Sequence, residues 1–133
     1  MAFSEDAQLQ SFIAGTTFSS TSLYKFVVLD SSGHVVDPNT TGNVLALGTL
    51  YSYTNTTSGA GTEAVTVGIG GTVKVKMAAS TIAAGGAVGP STAGFGIAPS
   101  SDGYTFGYVK SGSSGAAGRI HSVVVVRGPL NTP

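Results

Sequence analysis

The chain has no cysteine and no tryptophan, and only 9% of its residues carry charge. Without cysteine no disulfide framework can form, and the redox compartment stays open. The lack of tryptophan removes the strongest aromatic stacker from any sugar-binding platform. Six basic residues, Lys25, Lys74, Lys76, Lys110, Arg119 and Arg127, are scattered along the chain and balanced by six acidic ones. They form no basic tract, so no nucleic-acid partner is expected. No run approaches the ~18 apolar residues of a membrane helix, so no membrane partner is expected either. Glu5 and Asp6 stand where a secretory leader would carry lysine and an apolar run, so secretion is not expected. With zero formal net charge, the surface has little to oppose association.

What is present is 20 glycines, 41% hydrophobic residues and many serines and threonines in 133 positions. That is too apolar for a disordered chain and sized for one domain. Val65, Val67 and Ile69, then Val73, Val75 and Met77, alternate with polar or small residues on either side of Gly70-Gly71-Thr72. This is the pattern of a β-hairpin. A three-residue loop Gly70–Thr72 sets Ile69 against Val73 and Val67 against Val75, which puts both apolar rows on one face. Lys74 and Lys76 then share the opposite, solvated or intersubunit face.

Further strands are expected at 23–29, ending in the Asp30–Gly33 turn, at 34–36 before Pro38, and at 44–53 with Gly48 as a bulge or close approach. Others are expected at 87–88, 94–98, 104–109 and 120–127, the last buried on both faces because of its four consecutive valines. The sum is an all-β domain of seven to nine short antiparallel strands over residues 22–128, with a tail at 129–133 and no fixed-period repeat.

Residues 1–21 form an extended N-terminal arm, with a possible helical turn at 7–13 that groups Leu9, Phe12 and Ile13. Phe3, Leu9, Phe12, Ile13 and Phe18 need cover, either from the domain's own core or from a neighbouring molecule. They are the candidate interface with another subunit or a partner protein.

Chemistry-bearing patterns are sparse. Ser32, His34 and Asp30 or Asp37 can be drawn as a triad, but no Gly-x-Ser-x-Gly elbow exists, and an enzyme using His34 or His121 is the least favoured reading. Two histidines without cysteine give no zinc spacing, and Asp30 with Asp37 lacks a calcium-loop pattern, so no metal or cofactor is expected. Gly68–Gly71 leads into a strand rather than a helix, which excludes a phosphate loop. Asn39 and Asn55 match the glycosylation pattern, which matters only on a secretory route. Tyr51 with Tyr53, and Tyr104 with Phe106 and Tyr108, are expected as same-face aromatic rows for packing.

The segments Ser-Leu-Tyr-Lys-Phe-Val-Val-Leu-Asp-Ser-Ser-Gly, Ala-Leu-Gly-Thr-Leu, Val-Thr-Val-Gly-Ile-Gly-Gly-Thr-Val-Lys-Val-Lys and Thr-Ile-Ala-Ala-Gly-Gly-Ala-Val-Gly-Pro-Ser, in that order, resemble small capsid decoration (cement) proteins of tailed bacteriophages. The likeness covers about residues 20–127. Ala87 replaces an acidic residue that the family often carries near Gly86. The resemblance implies a compact β-barrel or β-tulip, made in the host cytoplasm and placed on the outer capsid surface. It also implies the major capsid protein as partner, frequent homo-trimers and no catalysis. The alternative is a carbohydrate- or receptor-binding β-module of a phage fibre.

Overall fold

A computed structural model of the chain describes residues 6–38, 46–54, 61–78, 82–99, 104–110 and 117–127. The described residues form ten strands and one 3-10 turn, Ser20–Ser22, with no α-helix. The strands are β1 (Gln8–Ile13), β2 (Phe26–Leu29), β3 (Val35–Val36), β4 (Gly48–Leu50) and β5 (Ala64–Gly70), then β6 (Thr72–Lys76), β7 (Ala87–Pro90), β8 (Gly96–Ile97), β9 (Gly107–Val109) and β10 (Ile120–Val125). The all-β, barrel-like expectation holds, with one more strand than the upper count.

Two five-stranded sheets result, ordered β1-β5-β4-β2-β3 and β6-β10-β9-β7-β8. The second order is the first with five added to every strand. The equivalence runs to single residues. Val27 pairs with Gly48 as Val88 pairs with Gly107, and Leu50 pairs with Val67 as Val109 pairs with Val123. Ser11 pairs with Thr66 as Lys74 pairs with Ser122. After its first strand each unit makes a parallel bridge to its third, Ala14 to Val35 and Met77 to Gly96, which joins the two edges of the sheet at one end. The side chains across that bridge trade volume: small Ala14 faces Val35, whereas large Met77 faces Gly96, where a Cβ would come within 2.8 Å of the Met77 sulfur.

The described chain therefore repeats one five-stranded topology, the first unit being β1–β5 and the second β6–β10. Equivalent residues lie 63 apart at Ile13 and Lys76 but only 56 apart at Val67 and Val123, and this drift is why the repeat does not emerge from the sequence. Each unit fills its own interior, the first with Ala14, Phe18, Val27, Val35, Leu50, Val65 and Val67, the second with Val73, Val75, Met77, Ile82, Val88, Phe106, Val109 and Val123. Phe26 and Ala46 belong to the first unit by sequence but pack into the second core, where Phe26 meets Phe106 edge-on at 4.9 Å.

This architecture corrects the expected hairpin. Val65 and Val67, like Val73, Val75 and Met77, do point inward, but into different cores. β5 pairs with β1 and β4, and β6 with β10, so Gly70-Gly71-Thr72 is a corner between sheets. Gly71 takes a φ of 73° there, and a Cβ on it would overlap the Asp6 carbonyl. Alternation fixes which face is buried; it does not name the neighbouring strand.

Three smaller corrections follow. The helical turn at 7–13 is strand β1, so Phe12 turns inward with Ala14 while Leu9, Ser11 and Ile13 share the exposed side. β10 buries one face only, since Val123 is inside while Val124 and Val126 are exposed. Phe106 is buried and Tyr108 exposed, because Phe106 precedes the strand and the period of two does not reach it.

Gly48 and Gly107 occupy equivalent close approaches, where a Cβ would collide with the Gly68 and the Val124 carbonyl respectively. The close-approach reading of Gly48 thus holds. Most of the polar loops expected at 55–62 and 110–118, the expected turn at 100–103, the tail, both Asn-Thr-Thr sites and Phe3 lie outside the described residues.

Candidate interaction site

The candidate interface residues do not stay together. Phe18 is buried in the first core, and its N–H and carbonyl are both held by the Thr54 hydroxyl, at 3.2 and 2.9 Å. Phe12 packs half-buried against the same core. Both are covered by their own domain. Leu9 and Ile13 are not: they are 53% and 38% exposed on β1, the edge strand of the first sheet. The Ala14 N–H donates to the Glu63 carbonyl at 2.8 Å. Antiparallel alternation then turns the main-chain groups of Leu9, Ser11 and Ile13 away from β5. An edge strand left uncovered by the other described residues, with two large aliphatic side chains, is a place where another chain can dock.

The corresponding edge of the second sheet is covered. Lys76 N–H donates to the Tyr24 carbonyl at 2.7 Å, and Lys74 N–H to the Tyr51 hydroxyl at 2.8 Å. The Lys76 ammonium donates to the Thr21 carbonyl at 2.8 Å, and burial together with nearby Lys25 holds it below the usual lysine range. Lys74 sits 5.7 Å over the Tyr24 ring, which meets Tyr51 edge-on at 5.3 Å. The face formed by the two lysines therefore meets the first unit of the same chain. Tyr24 reaches this position with a φ of 65°, a conformation its equivalent Gly85 adopts without a Cβ clash. No sequence signal marked Tyr24, the Tyr51 hydroxyl or Arg127, which also spans the two units.

The possible triad is a turn. The Asp30 carboxylate accepts the main-chain N–H groups of Ser32 and His34 at 2.8 and 2.9 Å, and Gly33 supplies the expected positive φ of 78°. Ser91 does the same for Ala93 and Phe95 in the second unit, with Gly94 in the place of Gly33. The bond from His34 chiefly, then that from Ser32, lowers the Asp30 pKa against an opposing desolvation. A carboxylate depressed by folding stabilises the fold above its ordinary range and loses that contribution as pH falls through its lowered value. Asp30→Asn keeps an acceptor oxygen but not the charge, so the acid limb of stability against pH is expected to flatten when unfolding midpoints are measured across the carboxylate range.

His121 sits in the slot that Val65 fills in the first unit, and its Nε2 is buried without a hydrogen-bond partner among the described residues. Thr49 is fully buried and its hydroxyl is likewise unpartnered. A buried polar atom left unsatisfied costs about 1–3 kcal/mol. Thr49→Val, nearly isosteric, is expected to raise the unfolding free energy by about 1 kcal/mol, and His121→Val to act in the same direction, as read by chemical denaturation.

No group of metal-binding side chains occurs among the described residues, and no described helix is long and apolar enough to cross a membrane. These features define an all-β, barrel-like fold in which one five-stranded topology occurs twice, with one sheet edge covered from within and its counterpart open among the described residues. No protein-family model and no curated protein matches the chain.

Proposed function

We propose that the chain is a non-enzymatic virion structural protein, a capsid decoration subunit that binds the outer surface of the major capsid protein shell and stabilises it. The observation that carries the reading is the β1 edge, with Leu9 and Ile13 exposed on a chain of zero formal net charge, which suits a subunit of a larger assembly whether the edge meets the shell or a sister subunit. A domain with an open strand edge and little solvating charge completes its burial against other polypeptides. The ordered resemblance of residues 20–127 to phage decoration proteins supplies the class of partner. Several modest contacts around a symmetric shell multiply into tight attachment.

The experiment is co-sedimentation of the purified chain with capsids stripped of decoration. Binding that saturates and raises the shell's resistance to heat supports the reading; free protein left in the supernatant at every ratio rejects it.

A second reading, a glycan- or receptor-binding module of a fibre, rests on Tyr53 and Tyr108, which are 44% and 40% exposed. Tyr51 is a poor probe for it, because its hydroxyl holds the β6 edge. Glycan-array binding lost in Tyr53→Ala and Tyr108→Ala would favour this reading over the first.

A further inference from the structure

Within the chain, the contact that joins the two units has a direction. The first unit presents the Tyr24 carbonyl to the outward N–H of Lys76 on β6, and the outward N–H of Phe26 donates to the Gly94 carbonyl of the second unit at 2.7 Å. The strand registers translate each of these groups into its equivalent in the other unit. Lys76 becomes Ile13 and Gly94 becomes Gly33. Tyr24 becomes Gly85, since Tyr24 N–H donates to the Leu50 carbonyl as Gly85 N–H donates to that of Val109. Phe26 becomes Ala87, because Phe26 pairs with Thr49 as Ala87 pairs with Tyr108.

All four translated groups are open. Ile13, Gly33 and Gly85 are exposed, and Ala87 is half-exposed with its N–H turned away from β9. Among the described residues, none of the two N–H groups and two carbonyls concerned meets a main-chain or side-chain partner outside its own sheet.

We propose that the β1 edge binds the second unit of another copy of this chain, repeating between copies the contact that joins the two units within one. Ile13 N–H then donates to the Gly85 carbonyl of the neighbour, and the neighbour's Ala87 N–H donates to the Gly33 carbonyl. Both bonds are main chain to main chain, so they survive the divergence of side chains between the units. Ala83, Ala84 and Gly85 are small and exposed, a flush surface for the Ile13 side chain. One element changes role: Lys110 stands where Tyr51 stands, so its ammonium donates toward the outward carbonyls of β1 rather than accepting from Ser11.

Because the contact is head to tail, it closes into a ring or runs on as a filament. The inference does not depend on a capsid being the final partner.

Native mass spectrometry and sedimentation velocity on the full chain test it. The wild-type chain is expected as a discrete assembly at micromolar concentration. Ile13→Pro and Ala87→Pro each delete one outward N–H without touching a ladder bond, as proline requires at an edge. Each is expected to weaken assembly about tenfold or more, while the β-sheet circular dichroism and cooperative unfolding persist. Should proline disturb β1, Ala84→Arg on the opposing surface gives the same readout.

The two proline variants keep complementary halves of the contact, so their mixture is expected to form a heterodimer that neither forms alone. A monomeric wild-type chain, proline variants that assemble like wild type, or a mixture that stays monomeric would each overturn the proposal. Loss of capsid binding with assembly intact would reject the decoration reading and leave this one standing.

Discussion

Phe26→Ala is expected to lower the unfolding free energy by about 3–5 kcal/mol, the range for a large side chain removed from a close-packed core. Phe26 is fully buried, and its ring lies at 75° to that of Phe106 with 4.9 Å between centroids. Its backbone is a strand of the first sheet, while its side chain completes the core of the second. Truncation therefore opens a void at the joint between the units rather than inside one of them. Denaturant titration followed by two probes, tyrosine fluorescence and circular dichroism, should show coincident transitions for the wild-type chain and separated ones for the variant. A loss below about 1 kcal/mol would mean that the joint carries little of the stability.

Arg127→Ala is the second large effect, expected at about 2–3 kcal/mol by the same titration. The guanidinium donates to the Ala46 carbonyl at 2.6 Å, to the Ile69 carbonyl at 2.9 Å and to the Leu47 carbonyl, and lies 4.9 Å over the Phe106 ring. It thus ties the end of β10 to both β4 and β5. Desolvation lowers its pKa, but arginine keeps its proton throughout the working range. The residue remains partly open to water, which is why the expectation is below that for Phe26. Arg127→Lys should restore only a fraction, because an ammonium cannot span three carbonyls with a planar fork or stack on Phe106. Full rescue by lysine would show that charge alone matters there.

Much of the local structure was legible, and the reason is local. Asp30-Ser31-Ser32-Gly33 encodes its own turn, with a carboxylate for two N–H groups and a glycine for the positive φ. Gly48 reads as a close approach and meets the Gly68 carbonyl. The alternating valines of β5 and β6 read correctly as inward-facing. What failed was partnership. Gly70-Gly71 suits a hairpin and a corner equally, and the choice between them was made by β1 and β10, far away in sequence.

β1 itself was masked by Gln8, Gln10 and Ser11, polar residues that an exposed edge tolerates and that weaken any strand signal. The repeat was hidden twice over, by the drift in spacing and by the difference in nearly every side chain. Only a few positions kept their residue, among them Val27 and Val88, Gly33 and Gly94, Pro38 and Pro99, and Gly48 and Gly107. At the candidate site, composition grouped Leu9 and Ile13 with Phe12 and Phe18 as residues in need of cover, and only the β1 register separates the exposed pair from the covered one; the internal cover over β6 rests on Tyr24 and Tyr51, whose roles appear only in three dimensions.

The traded volumes of Ala14 with Val35 and Met77 with Gly96 show how far the halves differ while sharing one blueprint. A protein made from identical single-unit subunits must accept every mutation at all stations simultaneously. Here one gene encodes two stations, and each can be tuned alone: tyrosine at 24 against glycine at 85, valine at 65 against histidine at 121. Such a molecule can offer neighbours of alternating character around an axis without needing a second gene.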